Sequence, residues 1–241
     1  MRIHSIFRAA LLAMLPLATG AVSAASFDGF DNGLSGWTAG GDVAVLAGTS
    51  NPFAALTTAS VAFDDDNGPV FNRSGNDPLM AGFPGGFEDF FGAPLGAFDR
   101  DVLQQATEGS ALGRQFTVQA GDVFHFDWSL ATNDTQPGFG LDFAFVMIDG
   151  ERFDLGRASD ASLPGTGGFG QSTAWAGFDH VFTQGGTFTI AFGVVDVGDY
   201  AATTQLSLDN VSVSAVPEPG ALALMAAGLG LVGLSARRRR A

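Results

Sequence analysis

The sequence predicts an all-β protein, an antiparallel β-sandwich of the jelly-roll type. Three observations carry that prediction. Apolar and polar residues alternate over several separate segments, the period-2 pattern of strands with one face buried. Gly/Asp turns such as Ala120-Gly121-Asp122 punctuate those segments. The composition, with 34 glycines and 23 phenylalanines against a single tyrosine, favours strands, turns and an interior of large apolar rings. Short strands separated by tight turns build sandwiches rather than parallel sheets.

The elements follow in chain order. Arg2 and Arg8 form a positive n-region, Ala9 to Leu17 an apolar core, and Val22-Ser23-Ala24 or Ser23-Ala24-Ala25 a small-residue cleavage site. Residues 1–25 therefore read as a secretory signal peptide for the Sec export machinery, outside the fold. The exported domain is expected over 26–215. Within it, Asp64 to Asp101 lacks periodicity, is rich in Gly, Pro, Asp and Phe, and reads as a long insertion whose rings pack on something. One or two helical turns are expected over Asp99 to Thr107. Val123 to Leu130 is a strand with Phe124, Phe126, Trp128 and Leu130 inward and His125, Asp127 and Ser129 outward. Leu141 to Ile148 is apolar on both faces, as in a central strand covered twice. Asp160 to Ser172 is a second glycine-rich loop. Thr187 to Val195 alternates with Phe188, Ile190, Phe192 and Val194 inward. In the last strand Leu206 and Leu208 share one parity and Val211 and Val213 the other, so a bulge is expected at Asp209-Asn210.

Charge narrows the partners. Of 11 basic residues, Arg2, Arg8 and Arg237 to Arg240 lie in the two ends, and of 25 acidic residues only Glu218 does. Residues 26–215 thus hold five arginines, no lysine and 24 carboxylates, a formal charge of −19. Nucleic acid and anionic lipid need compensating positive charge, so neither fits; neutral polysaccharide and divalent cations do. The chain has no cysteine, which rules out disulfides, thiolate nucleophiles and zinc–thiolate sites.

The remaining motifs are weaker. Gly165-Thr166-Gly167-Gly168-Phe169-Gly170 spells G-x-G-x-x-G without the strand-to-helix setting of a phosphate loop, and reads as a flexible loop. Asp64-Asp65-Asp66-Asn67-Gly68 fails the EF-hand spacing and reads as a solvated acidic loop. Asn133-Asp134-Thr135 fits a glycosylation sequon. Asp196, Asp199 and Tyr200 either line a rim or form a turn. His125 and His180 are the only histidines of the body, and no serine lies in G-x-S-x-G. Trp175, in the irregular stretch after the glycine loop, is the candidate aromatic platform for a sugar; Trp37 and Trp128 are assigned to the core.

The C-terminus carries three pieces in fixed order. Pro217-Glu218-Pro219 is a stiff, extended tripeptide, the run from Ala221 to Ala236 is uncharged and apolar, and Arg237, Arg238, Arg239 and Arg240 hold that end on the cytoplasmic side. The run is short beside the roughly 20 residues that span a bilayer and contains Gly228, Gly230 and Gly233. It reads as a temporary transmembrane helix. Residues 216–241 resemble a PEP-CTERM sorting signal, a family of Gram-negative bacteria that make extracellular polysaccharide. The resemblance implies processing by an exosortase at Pro-Glu-Pro, and transient anchoring in the inner membrane before the cell surface or matrix.

A second resemblance concerns the body. Ser26-Phe27-Asp28-Gly29-Phe30-Asp31-Asn32-Gly33-Leu34-Ser35-Gly36-Trp37 and Leu208-Asp209-Asn210-Val211-Ser212-Val213 look like the opening and closing strands of jelly-roll modules of the carbohydrate-binding type. Such modules often hold a structural Ca²⁺ between these segments, and the resemblance implies Asp31 and Asp209 as its carboxylate ligands; alternatively these aspartates only cap turns. The functional expectation is a non-enzymatic glycan-binding or structural protein of the envelope or exopolysaccharide matrix. The alternatives are a polysaccharide-active enzyme using an Asp/Glu pair, and a matrix component that self-associates through the 64–101 insertion.

Overall fold

A computed structural model describes residues 26–48, 51–61, 68–135, 142–215 and 227–229. The expected signal peptide (1–25), Pro217, Glu218, Pro219 and Arg237 to Arg240 lie outside the described residues, as does the apolar run except for a helical turn at 227–229. Among the described residues no helix is long and apolar enough to cross a membrane.

The strands are β1 (Ser26–Asp28), β2 (Thr38–Gly40), β3 (Asp42–Ala47), β4 (Pro52–Thr57), β5 (Leu79–Met80), β6 (Ala106–Val118), β7 (Val123–Thr132), β8 (Phe143–Ile148), β9 (Glu151–Arg157), β10 (Leu163–Pro164), β11 (Gln171–Ser172), β12 (Ala176–Val181), β13 (Gly186–Val197) and β14 (Thr204–Ser214). Two four-residue helices, α1 (Gly68–Phe71) and α2 (Phe87–Phe90), interrupt them. All pairings are antiparallel, in two sheets. In the first, β12, β7, β14 and β4 are successive neighbours, with β3 outside β4, β1 on β14, and the β10–β11 hairpin on β7. In the second the order is β2-β6-β13-β8-β9, with β5 on β6. The long strands β4, β6, β7, β8, β9, β12, β13 and β14 pass between sheets in the order of a jelly roll, so the sandwich closes over its own core.

That core is built by alternation. Phe124, Phe126 and Leu130 of β7, Leu206 and Leu208 of β14, and Ile190, Phe192 and Val194 of β13 are buried together. β14 keeps its apolar residues inward despite their change of parity, because its register on β7 shifts between Asp209 and Ser212 and Asn210 adopts φ 54. One extra residue turns Val211 and Val213 back into the same core as Leu206 and Leu208.

The insertion makes a third layer. Phe87 and Phe98 are buried with Phe143, Phe145, Met147, Val195 and Val197, on the face of the second sheet opposite the main core. β8 and β13 are therefore covered on both faces. Glycines in the sheet admit these rings: a Cβ at Gly193 would come within 2.4 Å of Phe145 and 2.9 Å of Phe91, and one at Gly109 within 2.6 Å of Phe87. The buried Glu88 carboxylate ties the layer down, accepting from the amides of Gly82 (3.0 Å) and Gly96 (3.1 Å). The expected helical turns at 99–107 are absent. Helix forms instead at 87–90, Asp101 bridges Gln104, and β6 has begun by Ala106. The rings that would have driven self-association are largely consumed internally; Phe83 is exposed, but Phe87 and Phe98 are not.

Candidate functional site

The outer face of the first sheet divides into two halves. Over one half the chain folds back. Phe71 of α1 and Phe169 pack at 4.7 Å on Ala59 and Ala131, Arg73 lies over the Phe169 ring at 5.9 Å, and its Nε donates to Gln205 Oε1 (3.2 Å). The glycine motif is the tip of the β10–β11 hairpin, closed by Gly165 N donating to Gly170 O (3.1 Å). This turn presents Phe169, and among the described residues no helix follows it that could bind a phosphate. Asp42 secures this half, its buried carboxylate accepting from Thr57 Oγ1 and from the amides of Arg73 (2.9 Å) and Ser74 (2.6 Å).

The other half stays open and is polar. His125 and Asp127 point outward from β7, as their parity demands. His125 Nδ1 lies 2.8 Å from Asp179 Oδ1 on β12, and its Nε2 lies 3.4 Å from Asp127 Oδ1. The bulge extends the row: Asn210 Nδ2 donates to Asp127 Oδ2 (2.7 Å), Asn210 N to Asp209 Oδ1 (2.7 Å), and Asn51 Nδ2 to Asp209 Oδ2. Gly177, opposite Asp127, lets the His125 ring lie close against β12, since a Cβ would come within 3.2 Å of that ring. The bulge at Asp209-Asn210 thus aims two polar side chains at this face.

Two aromatic rings border the row. Trp175 is 51% exposed, and its ring meets Phe53 edge-on at 6.1 Å and 84°. Trp175 directly precedes β12 and Phe53 belongs to β4, strands separated by β7 and β14. At about 4.8 Å per strand their backbones are about 14 Å apart, so both rings lean inward across the face. The paired serines Ser129 and Ser207 on the intervening strands leave room for them. Phe53 was not singled out in the sequence, because Phe53-Ala54-Ala55-Leu56 is apolar at both parities and does not say which face the ring takes.

The other candidates fall elsewhere. Trp37 and Trp128 are half-buried against the main core. Trp37 Nε1 donates to Asp28 Oδ2 (2.8 Å), which also accepts from Arg114 Nη1 (2.9 Å), so Asp28 joins the opening segment to β6. Asp31 is exposed in the turn after β1, and Asp209 engages Asn51 and Asn210. Among the described residues no group of three or more His, Asp or Glu side chains is gathered as a metal centre. Asp196 is buried in β13 opposite Glu108 of β6, and Tyr200 is partly exposed. Burial, then the charges of Glu108 and Asp196, push the Tyr200 hydroxyl up from its ordinary range. Asp142 is buried at the same end. Desolvation raises its carboxyl well above the usual carboxylate range, against the hydrogen bond from Thr204 Oγ1 (2.6 Å).

The PEP-CTERM protein-sorting motif matches residues 215–240, which implies export and exosortase-mediated sorting to the cell surface. No curated protein matches the sequence significantly. Among solved structures the chain is similar to the carbohydrate-binding module TmCBM61 in complex with β-1,4-galactotriose, at 11% identity and a TM-score of 0.38, covering 78% of this chain and 94% of that one. It is similar to TmCBM27, a carbohydrate-binding module studied for specific mannan recognition, at 10% identity and a TM-score of 0.38, covering 82% and 98%. It is also similar to the K3 cleaved adhesin domain of Lys-gingipain from Porphyromonas gingivalis, at 15% identity and a TM-score of 0.34, covering 77% and 95%.

Proposed function

We propose that this protein is a non-enzymatic glycan-binding component of the cell envelope or exopolysaccharide matrix, delivered by its C-terminal sorting motif. The observation that carries the proposal is the open half-face of the first sheet. Trp175 offers an exposed apolar ring, and beside it Asn51, Asp127, Asp209 and Asn210 offer donors and acceptors. A sugar has the same two-sided chemistry, a C–H face that packs on an aromatic ring and hydroxyls that need polar partners. Covering the exposed part of Trp175 removes about 100 Å² of apolar surface from water, worth ~2.5 kcal/mol.

The test is binding of the full chain, in mild detergent, to a panel of neutral polysaccharides. Trp175→Ala is expected to weaken retention at least about tenfold while leaving the melting temperature within a few degrees. Unchanged retention by the variant would remove Trp175 from the site. Shortening of the polysaccharide, read as new reducing ends, would overturn the non-enzymatic reading in favour of a carboxylate-pair enzyme.

Calcium is part of the same proposal. With Asp28 opposite Val211 in antiparallel register, the chain after β1 runs toward Asp209, which supports an ion held by Asp31, Asp209 and neighbouring backbone carbonyls.

A further inference from the structure

One exposed ring on the open face of the first sheet lies apart from Trp175. Phe27 of β1 is 68% exposed. It lies opposite Ser212 of β14, Ser212 opposite His125 of β7, and His125 opposite Asp179 of β12. Residues directly opposite one another share a face of the sheet. Phe27 therefore stands on the same outward side as His125.

Local packing aims this ring. Gly29, two residues on, has no side chain, and a Cβ there would come within 3.3 Å of the Phe27 ring. With Asp28 opposite Val211, Gly29 lies on the side of Asn210. The ring thus lies along the strand, over Gly29 and toward the polar row of Asp127, Asp209 and Asn210.

Phe27 and Trp175 frame that row. Ala176 lies opposite Trp128, which puts Trp175 one residue further, level with Ser129. Along β7 that level is four residues from His125, the level of Phe27, or about 14 Å at ~3.4 Å per residue. Trp175 leans across to Phe53 of β4, and β4 and β1 run along the same edge of β14. The three rings follow one line along that edge, with the polar row beside it. Beyond Phe27 the next row is Ser214, Val123 and Val181, short side chains that leave that end of the line open.

We infer that this face binds a linear neutral glycan several units long, with Phe27 as its second aromatic platform. The inference rests on the glycan-binding reading of the Trp175 face. A single sugar ring cannot reach across the span. A chain of them lays one C–H face on Trp175 and another on Phe27, while the hydroxyls between meet the polar row. The carboxylates of Asp127, Asp179 and Asp209 oppose an acidic chain.

The experiment measures binding of the full chain, in mild detergent, to linear neutral oligosaccharides of two to six units. These are prepared by partial hydrolysis of the polysaccharide that the wild type retains best. Affinity should rise with length, the longest chain binding at least about tenfold tighter than the shortest. Phe27→Ala should remove about tenfold from the longest chain, with the loss shrinking as the chain shortens. Trp175→Ala should weaken binding at every length. Phe27→Tyr keeps a flat ring and should keep the wild-type affinities. Phe27 lies at the surface, so its replacement removes nothing from the core, and an unchanged melting curve confirms that. Equal affinity at all lengths, or wild-type affinity of Phe27→Ala for the longest chain, overturns the inference and leaves the Trp175 site standing. A loss in Phe27→Ala that is the same at every length also overturns it, because the ring would then act on the fold or on the Trp175 site itself. If the wild type retains no polysaccharide, both readings fall.

Discussion

Replacing Phe87 by alanine is expected to show that the insertion is a structural layer rather than an appendage. The side chain is 0% exposed. Its ring lies 5.0 Å from Phe98, 5.1 Å from Phe91 and 6.1 Å from Phe145, all in edge-on geometry, and it fills the space left by Gly109. Removing a buried phenylalanine ring costs about 3–5 kcal/mol through lost transfer energy and the cavity left behind. Here the upper half of that range is expected, because each lost aromatic contact adds about 0.5–1.5 kcal/mol. The neighbouring rings are also pinned by the sheet beneath and cannot collapse inward. For a domain of this size 1 kcal/mol lowers Tm by about 2–4 °C, so a loss of about 4–5 kcal/mol in Phe87→Ala should lower it by roughly 8–20 °C. The assay is thermal and urea unfolding followed by near-ultraviolet circular dichroism, with Phe83→Ala as the paired control. Phe83 is 59% exposed on the same segment, and its loss should stay within about 0.5 kcal/mol. If Phe87→Ala costs less than about 1 kcal/mol, or no more than the control, the layered packing of the insertion is wrong.

Two other outcomes follow from the structure. Asp142 holds its proton in the fold at pH values where the unfolded chain, with an ordinary aspartate near pKa ~3.9, has lost it. Its contribution to stability is therefore present at low pH and is lost as pH rises toward the raised folded value. Asp142→Asn should flatten the decline of Tm from acid toward neutral pH, and identical slopes for variant and wild type would remove Asp142 as its source. For calcium, adding the ion to chelated protein should raise Tm, since a ligand bound only by the native state must stabilise it; no rise, or a rise that survives in Asp209→Asn, would end the proposal.

The parts of the fold that alternation governs were legible in the sequence. β8 reads as apolar on both faces because it is covered on both, by the main core and by the insertion. The parity change in β14 announces its bulge, since no regular strand can bury Leu208 and Val211 together. What covers β8 was hidden, because the insertion carries no period and depends on ring-to-glycine fits across distant segments. Gly193 under Phe91 and Gly109 under Phe87 have no local signature. The site was half visible for a similar reason. Trp175 stood out by its position after the glycine loop, whereas Phe53 and Asn51 acquire their place only from strand order. The pocket between the insertion and the β8–β9 hairpin was wholly hidden, as Arg100 and Arg157 come to line it together only in the folded chain.

The pairing of β1 with the end of β14 sets how the domain can hang. Ser26 lies opposite Val213, so the first and last strands leave the sandwich one strand spacing apart, at the same pole. A leader joined before Ser26 and a sorting tail joined after Ala215 therefore attach to one point rather than to opposite ends. Any pull applied through the tail while it is held in a membrane would unzip β14 from its last residue, next to the three-residue β1, whereas the central pairings on β7 would be loaded last. Phe143, paired with Val195 near the other end of β13, marks the far pole. On a tethered molecule that pole would point away from the membrane, with the Trp175 face along the flank.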